Sequence, residues 1–264
     1  MFAPFTPTAK KAKALPASPS FTLSAASDHE SVGAPPTWVL SNHDVARHVS
    51  RLARPQEHVG HIQLAHLLDT ESDLEVGERR SRAAVLLTLA LPGGAYVYQG
   101  EELGLPEVED LPLELKQDPA VIRSGGVDLG RDGCRVPIPW SGDRSPFGFS
   151  PNPEASPWLP QPASWGRYTV ASEEADPTSM LWLYRAALAI RRDHAALGDG
   201  SLRWLDMPAG AIAFAREPGF VCVVNVEAAP VALPAGGTVL LASGPLTADR
   251  RLPRHTAAWV QVGA

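Results

Sequence analysis

The sequence TWVLSNHD, residues 37–44, determines the fold class of this chain. Its first four residues form a short apolar run between a diproline and a polar cluster, which is typical of a fully buried β-strand. Asn42, His43 and Asp44 follow this strand directly, at the end where α/β barrels bind their ligands. A turn capped by an Asn or Asp side chain, beside a surface histidine, is the alternative that residue types leave open.

A helix and a second strand follow along the chain. Residues 78–91 (ERRSRAAVLLTLAL) place four apolar side chains at the spacing of a buried helix face. They are Ala83, Leu86, Leu87 and Ala90. The Pro-Gly-Gly sequence at 92–94 ends the helix, and Ala95–Tyr98 (AYVY) predicts a second buried strand. The order strand, helix, strand predicts a parallel crossover.

The rest of the chain divides into an irregular segment, a helix and a β-rich end. Residues 100–177 carry few helix or strand signals, and their aromatic residues favour a folded excursion over a linker. Asp176 and Pro177 suit the N-cap and first position of a helix that ends near His194. Its inner face is predicted to hold Met180, Leu183, Tyr184, Ala187, Leu188 and Arg191. After Gly198, five strand-like runs at hairpin spacing predict an antiparallel β-unit, namely 202–207, 211–216, 220–226, 238–242 and 257–262.

Composition narrows the class of protein. The 264 residues carry a net charge of −6 and a pI near 5.7, which argues against a nucleic-acid partner. No apolar run approaches the ~20 residues of a transmembrane helix, so we expect no membrane partner. Two cysteines are too few for a disulfide scaffold or a structural zinc site and suit a reducing cytoplasm. The sequence indicates no cofactor and no metal, and it assigns no oligomeric state.

Residues 1–36 differ from the rest in their residue types. They are rich in Ala, Ser, Pro and Thr without a sustained apolar period. Three of the four lysines of the whole chain, Lys10, Lys11 and Lys13, lie here. This composition predicts a disordered or foreign leader.

Four blocks, taken together, resemble the C-terminal part of α-glucosidases of the α-amylase superfamily, glycoside hydrolase family thirteen. They are SNHDVARH at 41–48, LPGGAYVYQGEELGLPE at 91–107, RDGCRVPIPW at 131–140, and the PTSMLWLYRAALAIRR helix at 177–192. The maltase and oligo-1,6-glucosidase branch fits best. The resemblance implies an α/β fold, a C-terminal fragment of a (β/α)₈ TIM barrel with its last two strands and helices, followed by a small antiparallel all-β domain. We expect the partial barrel at 37–196, with the excursion at 100–177 inside it, and the β-domain at 199–264.

The resemblance also implies roles for particular side chains. Such enzymes are retaining, and Asp44 matches the third carboxylate of the family, which holds the sugar at subsite −1 and stabilises the oxocarbenium-like transition state. His43 would donate a hydrogen bond to the same hydroxyls, and Asn42 belongs to the same substrate-binding set. Arg131 would lie near the non-reducing end of that ring. Arg135 is the less favoured choice, and Arg47 is expected only to brace the loop.

The chain departs from the family in its other carboxylates. The nucleophile string G-F-R-x-D does not occur, and no further apolar strand carries the G-E string of the acid; the carboxylates of residues 1–36 are Asp28 and Glu30 alone. A replacement pair at Glu101 and Glu102 is the disfavoured alternative, since the family carries this string beside its normal pair. We therefore expect an α-glucosidase fragment that is inactive by itself. A non-enzymatic module that binds α-glucosides or a protein is the competing function.

Three other groups of side chains invite a functional interpretation. Among His58, His61 and His66, the first two have a possible ligand spacing, but no third ligand is placed on the same face, so a solvated loop is favoured over a metal site. Cys134 is predicted to pack as a small hydrophobe. Trp140, Trp158 and Trp165 are equally compatible with sugar stacking and with packing inside the long excursion.

Unpaired strand edges predict how the isolated chain behaves. Two strands of an eight-stranded barrel, at 37–41 and 95–99, would expose backbone groups and apolar faces that a closed barrel pairs and covers. We expect the chain alone to be poorly soluble or partly disordered before residue 176, measured by size-exclusion chromatography and a thermal scan. A well-dispersed monomer with one sharp thermal transition would contradict this expectation.

Overall fold

The chain begins its described fold with a pair of parallel strands. A computed structural model describes residues 36–55, 70–198 and 201–263. Strand β1 (Thr37–Val39) pairs with β2 (Gly94–Tyr96), and Trp38 lies opposite Ala95. Helices α1 (His48–Leu52) and α2 (Leu74–Ala90) lie between them in sequence. The predicted parallel crossover is therefore confirmed.

The burial that the apolar runs alone predicted for both strands is wrong, whereas the exposed faces predicted for two strands of an eight-stranded barrel are confirmed. Val39 is 46% exposed and Tyr96 is 51% exposed. A parallel strand becomes buried only when other strands flank it and helices cover both faces of the sheet. Within the described residues, each of these strands has only the other as its neighbour. An apolar run predicts a strand, but it does not show how many neighbours that strand has.

Helix α2 is longer than its sequence pattern predicted. It begins at Leu74 because the Asp73 side chain accepts a hydrogen bond from the Val76 N–H and caps the first turn. It ends at Ala90, just before Leu91 adopts extended backbone and Pro92 follows. Gly77 allows α1 to approach closely, since a Cβ there would lie 2.5 Å from the Val49 carbonyl oxygen.

Residues 100–177 fold around an apolar core of their own. Short helices cross this segment: α3 (Pro119–Ser124), α4 (Val170–Ala175) and three 3₁₀ turns at 113–115, 132–135 and 163–168. Buried apolar residues hold them together, namely Leu103, Leu105, Val108, Leu111, Val136, Phe147, Leu159, Trp165, Tyr168 and Leu181. The segment is a packed excursion that returns to the sheet end.

Helix α5 (Met180–Asp193) is capped by a different residue from the one predicted. Ser179 accepts the Trp182 N–H, so the helix starts after it and not at Pro177. The Asp176 carboxylate is occupied by the N–H and hydroxyl of Thr178, which is a local turn. Leu188, predicted on the inner face, is exposed. It lies at the border of the apolar stripe, where the sequence pattern does not distinguish inside from outside.

The five predicted strands are all present in an antiparallel sheet of order β3-β4-β5-β7-β6. They are β3 (Leu202–Leu205), β4 (Ala211–Arg216), β5 (Phe220–Asn225), β6 (Thr238–Ala242) and β7 (Thr256–Gln261). One core joins this sheet to helices α2 and α5. The Trp259 ring is completely buried there and donates its Nε1–H to the Leu86 carbonyl over 2.9 Å. The side chain of Arg216, also buried, donates to the Ala90 carbonyl at the end of α2.

Removing the cap of α5 should lower the stability of the fold. In Ser179→Ala the Trp182 N–H loses its side-chain acceptor, so we expect the free energy of unfolding to fall by about 1 kcal/mol. Asp176→Ala is the matched control and should cost less than about 0.5 kcal/mol, because its carboxylate is exposed and, among the described residues, accepts hydrogen bonds from Thr178 alone. Urea unfolding measures both. A larger loss in Asp176→Ala would show that Asp176 caps the helix.

Candidate functional site

The polar segment after β1 forms a turn that presents its side chains to solvent. The Asn42 Oδ1 accepts the Asp44 N–H over 2.8 Å, which closes an Asx turn. His43 and Asp44 then project outward, and half of the Asp44 side chain is exposed. The turn capped by an Asn side chain, which the residue types left open, is therefore present at Asn42. This turn leaves Asp44 half exposed.

Two arginines converge on Asp44. Arg131 donates its Nη1–H to Asp44 Oδ1 over 2.6 Å, and Arg135 Nη2 lies 3.4 Å from the same oxygen. Arg135 also donates from Nε and Nη2 to the carbonyl oxygen of His43, over 3.0 and 2.9 Å. The sequence favoured Arg131 over Arg135, whereas the structure brings both guanidinium groups to the turn.

A third residue, Asp118, holds Arg131 from the opposite side, and sequence reasoning missed it. Its side chain has no exposed surface and accepts hydrogen bonds from the Arg131 Nε–H, Nη2–H and backbone N–H. This contact holds the pKa of the Asp118 carboxyl well below its usual range and raises the pKa of Arg131. The Asp-Pro pair before a short helix is a capping signal that could have drawn attention to it.

An open cavity lies beside Asp44, Asp118 and Arg131. Its volume is about 390 Å³. It is lined by Asp44, Ala46, Glu107, Asp118, Ala120, Arg123, Asp128, Gly130 and Arg131. The lining is dominated by charged and polar side chains, so the cavity suits a hydroxyl-rich ligand better than an apolar one.

Buried groups below the cavity fix its walls. Arg47 has almost no exposed surface and donates to the carbonyls of Gln99 and Cys134 over 2.8 and 2.9 Å. Its backbone N–H donates to Glu107 Oε2, and burial raises the pKa of that carboxyl to about 7. Arg47 thus links the segment after β1 to the chain after β2, which is the bracing role expected of it.

Glu101 and Glu102 do not line the cavity. Glu101 is buried, and its Oε1 accepts the hydroxyl of Tyr184 over 2.5 Å. Burial raises the pKa of Glu101 to about 7 and also raises that of Glu102. Both carboxyl groups belong to the start of the excursion, where Glu101 links it to helix α5.

The remaining candidates separate into core and surface. Trp165 is buried in the core of the excursion, whereas Trp140 and Trp158 are exposed. Cys134 is fully buried, and this burial raises the pKa of its thiol to about 12, as expected for a packing residue. His58, His61 and His66 lie outside the described residues. No group of three His, Cys, Asp or Glu side chains suited to a metal ion occurs in the part of the chain that the structure describes.

No helix within 36–55, 70–198 and 201–263 has the length and apolar character needed to cross a membrane.

Comparison with known proteins identifies the family of this arrangement. Residues 21–200 match the family described as "Alpha amylase, catalytic domain". The match begins inside the segment 1–36 and extends beyond the end of helix α5.

Curated relatives are named as α-glucosidases. A probable alpha-glucosidase of Rhizobium meliloti (strain 1021) is 37% identical over 203 residues, which cover 75% of this chain and 32% of the relative. A glucan 1,6-alpha-glucosidase of Streptococcus dysgalactiae subsp. equisimilis is 30% identical over 57% of this chain and 31% of its own length. The chain therefore spans about a third of these relatives.

Solved structures agree with this assignment. The crystal structure of an alpha-glucosyl transfer enzyme, XgtA, superposes with a TM-score of 0.71 and 31% identity, over 93% of this chain and 44% of that one. The trehalulose synthase MutB from Pseudomonas mesoacidophila MX-45 gives a TM-score of 0.63 and 26% identity, over 86% and 43%. The chain has the fold of a part of these enzymes, less than half of their length.

Burial of Glu101 should make the stability of the fold depend on pH. Its pKa rises from an ordinary value of 4.5 to about 7, so the folded chain binds the proton more tightly than the unfolded chain does. The free energy of unfolding therefore falls as the pH rises from about 4.5 towards 7. In Glu101→Gln, this fall should shrink by on the order of 2 kcal/mol, because glutamine does not titrate.

Urea unfolding at pH 5 and pH 7.5 measures this effect. The exposed Glu114→Gln variant is the control and should keep the pH dependence of the unsubstituted chain. An unchanged fall in Glu101→Gln would show that Glu101 titrates at its ordinary value.

Proposed function

This chain belongs to the α-amylase family, and from that premise we propose that Asp44 is the centre of a sugar-binding site of the retaining α-glucosidase type. The family relationship supports a carbohydrate-active, α-glucosidase-like protein. The observation that carries the proposal is the contact of Asp44 Oδ1 with Arg131 at the mouth of a polar cavity. We propose maltose and related α-gluco-oligosaccharides as the substrate class.

The proposed roles of Asp44 and His43 follow from the contacts that the two oxygens of Asp44 make. Arg131 and Arg135 both contact Oδ1 of Asp44, whereas Oδ2 has His43 Nε2 3.5 Å away, and we propose Oδ2 as the atom that meets the sugar. A carboxylate held in this way can accept hydrogen bonds from sugar hydroxyls and stabilise positive charge that develops at the anomeric carbon. His43 is proposed as a donor to the same ring, and Asn42 holds the turn that presents both.

Hydrolysis needs further groups. Retention requires a nucleophile and an acid/base whose carboxyl groups lie ~5–5.5 Å apart on either side of the linkage. In the described part of the cavity wall, Asp118 is paired with Arg131, and Glu107 and Asp128 each accept a backbone N–H. We therefore propose that the 264-residue chain recognises an α-glucoside without cleaving it.

We also propose a cytoplasmic location. The support is that both cysteines, Cys134 and Cys222, are free and buried, which suits a reducing compartment.

Maltose should bind to the chain through Asp44. Loss of the carboxylate in Asp44→Asn removes a charge-assisted acceptor, so we expect the affinity to fall by roughly tenfold or more in calorimetric titration. Asp249→Asn, an exposed carboxylate in the β-rich end, is the matched control and should bind as the unsubstituted chain does. Equal affinity in Asp44→Asn, or no saturation by maltose, would contradict the proposal.

The isolated chain should not hydrolyse a chromogenic α-glucoside. A single transition-state-stabilising carboxylate supplies neither the attacking oxygen nor the proton that the leaving group needs. The assay is release of 4-nitrophenol from 4-nitrophenyl α-D-glucoside, compared with buffer alone. Turnover that disappears in Asp44→Asn would show that this chain contains a complete centre.

A further inference from the structure

We propose that Asp118 is the positioning residue of this site. It fixes the plane of the Arg131 guanidinium so that one edge of the group faces Asp44 and the cavity. The part of this inference that concerns sugar rests on the proposed function, whereas the part that concerns Arg131 stands on the contacts alone.

The hydrogen bonds between Asp118 and Arg131 allow the guanidinium group one orientation. Asp118 Oδ2 accepts the Arg131 Nε–H, and Oδ1 accepts an Nη2–H over 3.0 Å. Two parallel hydrogen bonds of this kind match the planar guanidinium fork and define its plane. The remaining edge donates from Nη1 to Asp44 Oδ1. Asp118 therefore decides where that donor lies.

Asp118 is itself held rigidly. Its Oδ1 accepts the Ala120 N–H at the first turn of α3, and its own N–H donates to Asp132 Oδ2 over 3.0 Å. Gly130 crosses directly over it with φ +68°, and a Cβ there would lie 2.8 Å from the Asp118 Cβ. A side chain at position 130 is thus excluded by both conformation and space. The Asp118 carboxylate is therefore held in one position relative to Arg131.

The exposure of the two partners indicates which one is oriented by the other. The Asp118 side chain has no exposed surface, whereas that of Arg131 is 40% exposed. A half-exposed arginine otherwise samples many rotamers, and a ligand would have to restrict them on binding. Anchoring at Nε and Nη2 removes that freedom before the ligand arrives. Asp118 touches Arg131 and not the ligand-facing atom of Asp44, so it acts through Arg131.

The test compares Asp118→Asn with Asp128→Asn. Asparagine keeps the size and the helix-capping capacity of Asp118 but cannot accept both guanidinium hydrogen bonds. Asp128 lines the same cavity, and its carboxylate accepts the Gly130 N–H, so it is the matched control. The first readout is the solvent exchange of the Arg131 Nε–H by ¹⁵N NMR, assigned by its loss in Arg131→Lys.

We expect Nε–H exchange to accelerate by about tenfold or more in Asp118→Asn and to stay unchanged in Asp128→Asn. Unchanged exchange in Asp118→Asn would overturn the proposal. This readout needs no sugar, so failure of maltose to bind would refute the proposed function while the role of Asp118 is still decided.

The second readout separates positioning from a merely structural role. Maltose affinity should fall by roughly tenfold in Asp118→Asn, and adding the same change to Arg131→Lys should lower it little further, because lysine has no fork to orient. An equal loss in both backgrounds would overturn the proposal.

Where Asp118→Asn does not fold, carboxyl ¹³C NMR of Arg131→Lys gives the reciprocal test. There the pKa of Asp118 should rise towards its ordinary range, and an unchanged pKa would contradict the pairing.

Discussion

One arginine held between two carboxylates is the constraint on which this site depends. Asp44 follows the first strand, Asp118 precedes helix α3, and Arg131 immediately precedes the 3₁₀ turn at 132–135. Asp44 lies 87 residues before Arg131, so these two residues meet only because the excursion at 100–177 folds back to the end of the parallel pair. Its own apolar core makes that return possible, since a loop without one could not hold two charged groups in register.

The rigidity of the site comes from packing around the strands more than from the strands themselves. The parallel pair is short and exposed, and a two-stranded sheet has little stability alone. Helix α2 compensates because it packs against α1 on one side and against the β-sheet on another. Arg47 adds a buried link between the chain segments after β1 and β2, with its donors on the carbonyls of Gln99 and Cys134. The backbone that carries the exposed carboxylate of Asp44 is therefore held in place by these contacts.

Local pattern predicted the regular elements outside the excursion and the residue types of the site, but neither the short helices α1, α3 and α4 nor the contacts of the site. Apolar periodicity predicted helix α2, the crossover and all five antiparallel strands, because each depends on neighbours close in sequence. The apolar runs alone did not predict the exposure of β1 and β2, since burial depends on which other strands lie alongside. Asp118 was missed, and the contact of Arg135 with Asp44 was not predicted, for a similar reason. Asp118 contacts Arg131, and Arg135 contacts Asp44, because of the path that the excursion takes. Hydrogen bonds and apolar contacts between residues distant in sequence determine that path.

A crystal structure of the chain with maltose would show directly whether Asp44 and Arg131 bind the sugar. We expect the terminal glucosyl ring in the cavity, with its hydroxyls within hydrogen-bond distance of Asp44 Oδ2 and Arg131, and with Arg131 still paired to Asp118. Maltose bound elsewhere, for example against the exposed ring of Trp140 or Trp158, with the cavity empty of sugar, would contradict it.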